Sequence, residues 1–139
     1  MTSQLNVDTI VDKAGSGGTN VKMANTSTYV SDGGAVTQNT VQGLAKAWTI
    51  YTTVTSTSIT DSFNVSSLND TATGRTDIVF SNNMASTGAT GSGNVGDRKA
   101  NNSVYVEATN KAANITFHTI NDADLDKPNV SAIVHGDLA

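Results

Sequence analysis

Three aspartates at alternate positions are the residues whose spacing comes closest to a metal site. Asp122, Asp124 and Asp126 repeat the spacing that opens an EF-hand loop, in which carboxylate oxygens bind calcium. The later glycine and bidentate glutamate of that loop are replaced here by Lys127 and Ile133. The pattern therefore favours a solvated turn, and a loose site for a hard cation is the alternative.

The chain has two imidazoles, His118 and His135, on two different predicted strands. One histidine from each of three chains would supply three nitrogen ligands to a metal on a threefold axis. A strand histidine that is hydrogen-bonded to backbone or water is the simpler interpretation. We therefore predict that the protein holds no metal and no cofactor.

A glycine-rich motif, Gly91-Ser-Gly93-Asn-Val-Gly96, matches the dinucleotide-binding pattern G-x-G-x-x-G. In proteins that bind dinucleotides a strand precedes this motif and a helix follows it, so that the helix N-terminus faces the pyrophosphate. In this chain a polar stretch precedes the motif, and a Val-rich strand follows a few residues later. The motif does not predict cofactor binding.

The residues expected of an enzyme are scarce. The chain has no Cys and a single Glu, Glu107, and its Ser residues lie in Ser/Thr-rich stretches without a nucleophile elbow. A triad through His118 or His135 would need a Ser and an Asp that are distant in sequence. We predict that the protein is not an enzyme.

Composition favours a chain that folds in association with copies of itself. Val, Ile, Leu and Phe make up 29 of the 139 residues, which is about 21% and near the lower limit for chains that fold alone. Thr and Val are strand formers and the net charge of −4 is mild, so associated β structure is expected rather than disorder. Without Cys, stability must come from burial and backbone pairing.

Two classes of partner are disfavoured by charge and hydropathy. The sequence pI is about 4.8, and the eight Lys and Arg residues are scattered, which disfavours binding to phosphate backbones. No apolar stretch approaches the roughly 20 residues that a membrane helix needs. We predict no nucleic-acid binding, no membrane insertion, and a soluble protein in the cytoplasm that synthesises it.

A short amphipathic helix is predicted over residues 37–47. Val41, Leu44, Ala45 and Trp48 fall at i, i+3, i+4 and i+7, which places them in one narrow apolar stripe. So short a helix is marginal in water, and identical helices of sister chains are the expected partners. These four residues are the predicted oligomer interface.

From Trp48 onward, apolar and polar residues alternate in several short runs that turn-forming residues separate. In the first run, Trp48, Ile50, Thr52 and Val54 share one face. Such spacing is typical of an antiparallel sandwich. The predicted fold is mainly β: an N-terminal extended arm over residues 1–36, a short α-helical neck over 37–47 and a C-terminal antiparallel β-sandwich head over 48–139.

Residues 81–102 are predicted to form a long polar loop, longer than compact domains usually leave without secondary structure. Such loops often carry function, and this one is the candidate recognition surface, although a solvated loop without a ligand would have the same composition. The candidate recognition residues are Asn82, Asn83, Thr87, Thr90, Asn94, Arg98, Asn101 and Asn102.

Three parts of the sequence resemble tail-fibre proteins of tailed bacteriophages, marine ones especially. The opening Leu5–Gly18 is similar to the start of many short fibre subunits, Ala45–Trp48 followed by Asp61–Asp70 resembles a fibre module, and Ser131–Ala139 resembles the last strand of such modules. The stretch from about residue 85 to residue 99 has no such counterpart.

The resemblance implies a structural protein of a phage virion, most simply a homotrimeric tail-fibre or fibre-tip subunit. In that role the arm would dock on other virion proteins, and the head would attach to a host cell-surface glycan or protein. A capsid decoration or head-fibre protein, or a purely structural connector within the tail, would share the same layout and are the alternatives.

Overall fold

The computed structural model describes residues 28–30, 37–39, 43–96, 99–118, 121 and 123–138, with only the backbone of Tyr29, Thr37, Gln38 and His118. The chain divides into two compact units, residues 1–41 and 42–139. In the first unit, β1 (Thr28–Val30) pairs with β2 (Thr37–Asn39) as an antiparallel hairpin. Most of the predicted N-terminal arm lies outside the described residues.

The second unit is an eight-stranded antiparallel sheet in the order β4-β3-β10-β7-β8-β9-β6-β5, nearly closed into a barrel. The prediction of a mainly β, antiparallel protein is confirmed. The two packed layers of a sandwich are replaced by one sheet that curls on itself. Its strands are β3 (Ala45–Thr52), β4 (Ser58–Phe63), β5 (Val65–Ala72), β6 (Arg75–Phe80), β7 (Thr90–Val95), β8 (Ala100–Ala108), β9 (Lys111–His118) and β10 (Val130–His135).

The predicted helical neck is wrong: no helix occurs within the described residues, and β3 begins at Ala45 after a turn at Gly43 and Leu44. Residues 37–39 are also extended, in β2. A helix of this length gains little by itself in water, and an internal glycine weakens it by about 1 kcal/mol. As a strand, β3 pairs with β10 on one side and with β4 on the other. These hydrogen bonds make the strand more stable than the predicted helix.

Alternation along β3 places the face that carries Trp48 and Ile50 on the outside of the sheet. Ala47, Thr49 and Tyr51 are buried, whereas Ile50 is 40% exposed and Trp48 is half-buried on the outside. Ala47 and Tyr51 belong to the apolar core of the sheet. Its other members are Ile78, Phe80, Met84, Val95, Ala100, Val104, Val106, Ala112, Val130, Ala132 and Val134.

The predicted 81–102 loop contains a central strand. β7 lies between β10 and β8, and Met84 is a fully buried side chain before it. Gly91 and Gly93 are required there, because a Cβ on Gly91 would lie 2.7 Å from Val104 Cγ1 and one on Gly93 would lie 2.3 Å from the Ser131 carbonyl oxygen. The glycine motif therefore serves close packing of strands.

Polar side chains complete the interior on the side of β3, β6 and β9. Thr49, Thr76 and Asn114 are buried beside Tyr51, and the Asn114 Nδ2 donates a hydrogen bond to the Tyr51 hydroxyl. Burial raises the pKa of Tyr51 to about 12, and side-chain hydrogen bonds with Thr76 and Asn114 oppose that rise. The folded protein therefore holds the neutral phenol more tightly than the unfolded chain does.

Tyr51→Phe is expected to lower the free energy of unfolding by about 1–3 kcal/mol at neutral pH, because the Asn114 amide loses its acceptor in the interior. The pKa of Tyr51 is higher in the folded state than in the unfolded chain. The contribution of the neutral phenol to the free energy of unfolding is therefore complete below pH 10 and is lost between pH 10 and 12. Wild type should therefore lose about 2–3 kcal/mol over that interval that Tyr51→Phe does not lose. Urea unfolding of both proteins from pH 8 to 12 measures this, and parallel pH profiles would contradict it.

Asn64 closes the sheet where its two edge strands meet. It is the single residue between β4 and β5, which stand at opposite ends of the strand order, and its φ is 56°. Its Nδ2 donates to the Lys46 carbonyl (2.9 Å) and the Asn82 carbonyl (3.1 Å), while its Oδ1 accepts from the Asn82 backbone N–H (2.7 Å). One side chain thus joins β3 to the segment that follows β6.

Asn64→Ala is expected to lower the free energy of unfolding by about 2–3 kcal/mol. The substitution removes several hydrogen bonds. It also places at positive φ a residue that, unlike Asn, has no polar side chain to stabilise that conformation. Asn64→Gly separates the two causes, since it relieves the backbone and still lacks the amide. Asn82→Ala is the matched control, because it keeps the backbone N–H that Asn64 accepts from. Thermal unfolding measures all three, and equal midpoints for Asn64→Ala and wild type would contradict this role.

Candidate functional site

One row of residues crosses the outer face of five neighbouring strands. The strand register pairs His135 with Thr90, Thr90 with Tyr105, Tyr105 with Ala113 and Ala113 with Asp77. The residues on either side of these positions include much of the buried core, so alternation turns this row outward. Thr90 and Tyr105 are exposed, Asp77 and His135 are half-buried, and Ala113 is nearly covered, at 8% exposure. We call these five residues the cross-strand row.

Two depressions flank Tyr105 and Thr90 on this face. The first, the Ala113 hollow, has a volume of about 260 Å³ and is lined by Thr71, Arg75, Thr76, Asp77, Tyr105, Glu107, Lys111, Ala113, Asn114 and Ile115. The second, the Ala89 hollow, has a volume of about 320 Å³ and is lined by Ser86, Gly88, Ala89, Thr90, His135, Gly136 and Asp137. Small side chains at Ala113, Ala89 and Gly136 leave this space open.

Ion pairs fix the charged walls of the Ala113 hollow. The Lys111 Nζ lies 2.8 Å from Asp77 Oδ2 and 2.7 Å from Glu107 Oε2, and the Arg75 Nε lies 2.7 Å from Asp124 Oδ2. The hydrogen bond to Asp77, with the one to Glu107 after it, raises the pKa of Lys111 above its usual value. The hydrogen bond to Asp124 likewise raises the pKa of Arg75. Both cations therefore stay charged at physiological pH.

Tyr105 supplies the exposed aromatic surface of this site. Its side chain is 46% exposed, and it lies opposite Ala113, so the ring stands beside the floor of the hollow. The arrangement offers a flat apolar surface beside fixed hydrogen-bonding groups. Such a site can bind a small polar ligand that also has an apolar face.

The structure distributes the predicted recognition residues over several elements. Asn83 and Thr87 are exposed before β7, Asn82 is bonded to Asn64, and Thr90 belongs to the cross-strand row. Asn94 lies on β7, Asn101 and Asn102 lie on β8, and Arg98 is outside the described residues.

Asn102 has a structural role within the sheet. Its Nδ2 donates to the Ser131 carbonyl (2.9 Å) and the Asn94 carbonyl (3.2 Å), which ties β8 to β10 and β7. Among the predicted recognition residues that the structure describes, only Thr90 lines either hollow. The recognition role of these residues stays a prediction.

The predicted oligomer stripe is only partly described. Val41 lies outside the described residues, Leu44 is 65% exposed in the turn before β3, and Ala45 and Trp48 are half-buried on β3. Leu44 and Trp48 are four residues apart, a spacing that places two side chains on the same side of a strand as it does of a helix. The binding role of these residues stays a prediction.

The two described aspartates of the predicted metal pattern are engaged in other contacts. Asp124 pairs with Arg75, Asp126 Oδ1 accepts a hydrogen bond from the Gly74 backbone N–H at 2.8 Å, and Asp122 is outside the described residues. His135 borders the Ala89 hollow. Across the described ranges, no group of three or more His, Asp or Glu side chains could hold a metal ion.

Sequence reasoning did not single out Tyr105, Arg75 or Lys111, which form the walls of the Ala113 hollow. A signal for Tyr105 was present: it lies between Val104 and Val106, two predicted core residues, so alternation turns a large aromatic ring to the outside. Nothing in the sequence places Arg75 beside the far end of β9, because that contact depends on the order of the strands.

Comparison with family models, with characterised proteins and with solved structures finds no match to this chain. Among the residues that the structure describes, no helix is long and apolar enough to cross a membrane.

Proposed function

We propose that this protein is a structural subunit of a phage virion, a homotrimeric tail-fibre or fibre-tip component that attaches the particle to the host surface. The observation that carries the proposal is an apolar patch on the outer face of β4, β3 and β10. Phe63 pairs with Trp48 and Trp48 pairs with Ile133, and Ile50 lies on the same face two residues along β3. We call these four residues the Trp48 patch.

The Trp48 patch supports association with sister chains. Phe63 is 52% and Ile50 is 40% exposed, so large apolar side chains remain in water while much of the interior consists of small or polar residues. Contiguous exposed apolar surface of this kind marks interaction sites, and Trp and other aromatic residues are enriched at their centres. Leu44, next to the same strand, is exposed as well. The proposed interface is therefore a sheet face and includes Leu44 and Trp48 of the predicted stripe.

The resemblance to fibre proteins supports the location on a virion. In this role residues 1–36 dock on other virion proteins, and the barrel unit faces outward toward a cell-surface glycan or protein. The chain is made in the cytoplasm of the infected cell and incorporated into the particle. Its action is adhesive, because many copies on one particle convert weak contacts into firm attachment through effective concentration.

Electron microscopy of intact virions labelled with an antibody against this chain tests the proposal. Label at the distal end of the tail or its fibres is expected. Label on the capsid would instead favour a decoration or head-fibre protein, and label buried between two tail proteins would favour a connector. No signal from intact or from disrupted particles, although the antibody recognises the purified chain, would overturn the assignment to the virion.

A further inference from the structure

We propose that the cross-strand row is the centre of a binding site for a neutral oligosaccharide, which lies over Tyr105 and extends into the Ala113 and Ala89 hollows. This inference rests on the proposed attachment function and names the ligand class and the residues that bind it. It places recognition on the outer face of the sheet instead of on a loop.

The dimensions of the row suit a short chain of sugar rings. Ala113, Tyr105, Thr90 and His135 stand on four consecutive strands, so about 14 Å separates the first from the last at the usual spacing of strands. The hollows of about 260 Å³ and 320 Å³ lie to either side of Tyr105 and Thr90. A ligand that follows this row therefore has one aromatic contact near the middle and a depression toward each end.

Tyr105 supplies the apolar contact that a sugar ring needs. One face of a pyranose presents C–H groups, and these pack against the face of an aromatic ring, whereas its hydroxyls point outward to polar neighbours. Ala113 keeps the space beside the ring open, because any larger side chain would fill it. The Tyr105 hydroxyl remains at the wet edge of the site.

The charged side chains favour hydroxyl groups over phosphate or carboxylate. Asp77, Glu107 and Asp124 face two cations, Lys111 and Arg75, so the hollow has no excess of positive charge for an anionic ligand. Carboxylates accept hydrogen bonds from pairs of hydroxyls, and a guanidinium donates them. Because the ion pairs already fix these side chains, little side-chain freedom is lost on binding.

A printed array of neutral and anionic bacterial surface glycans, probed with the labelled full-length chain, tests the inference. Wild type is expected to bind neutral, hexose-containing glycans. Tyr105→Ala should weaken that binding at least about tenfold, which corresponds to about 1.4 kcal/mol. Ala113→Leu, which fills one hollow, should weaken it by a similar factor or abolish it.

Ser67→Ala is the matched control, because Ser67 is an exposed residue of β5 and lies outside both hollows. Its binding should equal that of wild type, and matching circular dichroism spectra would confirm that the variants fold. Binding to none of the neutral glycans, a preference for anionic ones, unchanged binding by Tyr105→Ala, or an equal loss in Ser67→Ala would each overturn the inference.

The glycan array tests the oligosaccharide site, and the virion labelling tests the assignment to the virion, so either proposal can be rejected without the other. A blank array together with label on the fibres would remove the oligosaccharide site and leave the attachment role in place. Binding that depends on Tyr105, together with unlabelled particles, would retain the site and remove the assignment to the virion.

Discussion

Gly93→Ala is expected to lower the free energy of unfolding by about 3–5 kcal/mol, because the new methyl group has no space in the sheet. Its Cβ would lie 2.3 Å from the Ser131 carbonyl oxygen and 2.6 Å from Asn102 Nδ2. The Asn102 amide would have to leave the position from which it ties β8 to β7 and β10. Urea unfolding of the purified variant measures the loss.

Ser92→Ala is the control for Gly93→Ala, because Ser92 is exposed on the other face of the same strand. Its effect should stay within about 0.5 kcal/mol, as for most surface substitutions. If Gly93→Ala unfolds at the same urea concentration as Ser92→Ala, then β7 does not pack between β8 and β10 as described. The assignment of the glycine motif to strand packing would then be wrong.

Phe63→Lys is expected to convert the proposed trimer into monomers at micromolar concentration. Phe63 is 52% exposed in the single chain, so the change costs the fold little, but in the assembly it would place a charge on each copy of the Trp48 patch. Sedimentation velocity should show the particle mass fall to that of one chain, 14.3 kDa.

Ser67→Lys introduces the same charge on the exposed surface of β5, away from the Trp48 patch. It should assemble as wild type does. Assembly of Phe63→Lys equal to that of Ser67→Lys would exclude the Trp48 patch as the interface and would leave any self-association to another part of the chain.

Alternation was enough to predict the β class, because Val104 and Val106, or Ile78 and Phe80, stand two residues apart and are buried together. The helix was wrong because Leu44 and Trp48, which are four residues apart, fit a helical stripe and a strand face equally well. Local sequence does not decide between these structures here. The partners β10 and β4 decide it, and they come from later in the chain.

The inward face of β3 and the strand β7 could not be predicted, for related reasons. The interior accepts Thr49 and Tyr51 because hydrogen-bonding partners such as Asn114 come from β9, while Trp48 and Ile50 face outward. β7 contains two glycines and one apolar residue, so it has no hydrophobic pattern of its own. Pairing with β10 along its whole length, and with β8 at Thr90 and Tyr105, holds it in place.

The candidate site, too, could be predicted only in part from the sequence. The sequence indicated that polar residues near Thr90 would recognise a ligand, and Thr90 does line a hollow. The remaining walls come from β6, β8 and β9, whose order in the sheet brings Arg75, Tyr105 and Lys111 to one face. Recognition by a sheet surface requires the strand register, which composition alone does not supply.

The mass of the intact chain in solution is the most direct test of whether three copies associate through the exposed Trp48 patch. Analytical ultracentrifugation at low micromolar concentration should give a particle of about 43 kDa, three times the 14.3 kDa of a single chain. A stable 14.3 kDa species that unfolds cooperatively would show that one molecule is sufficient by itself, and would contradict the account.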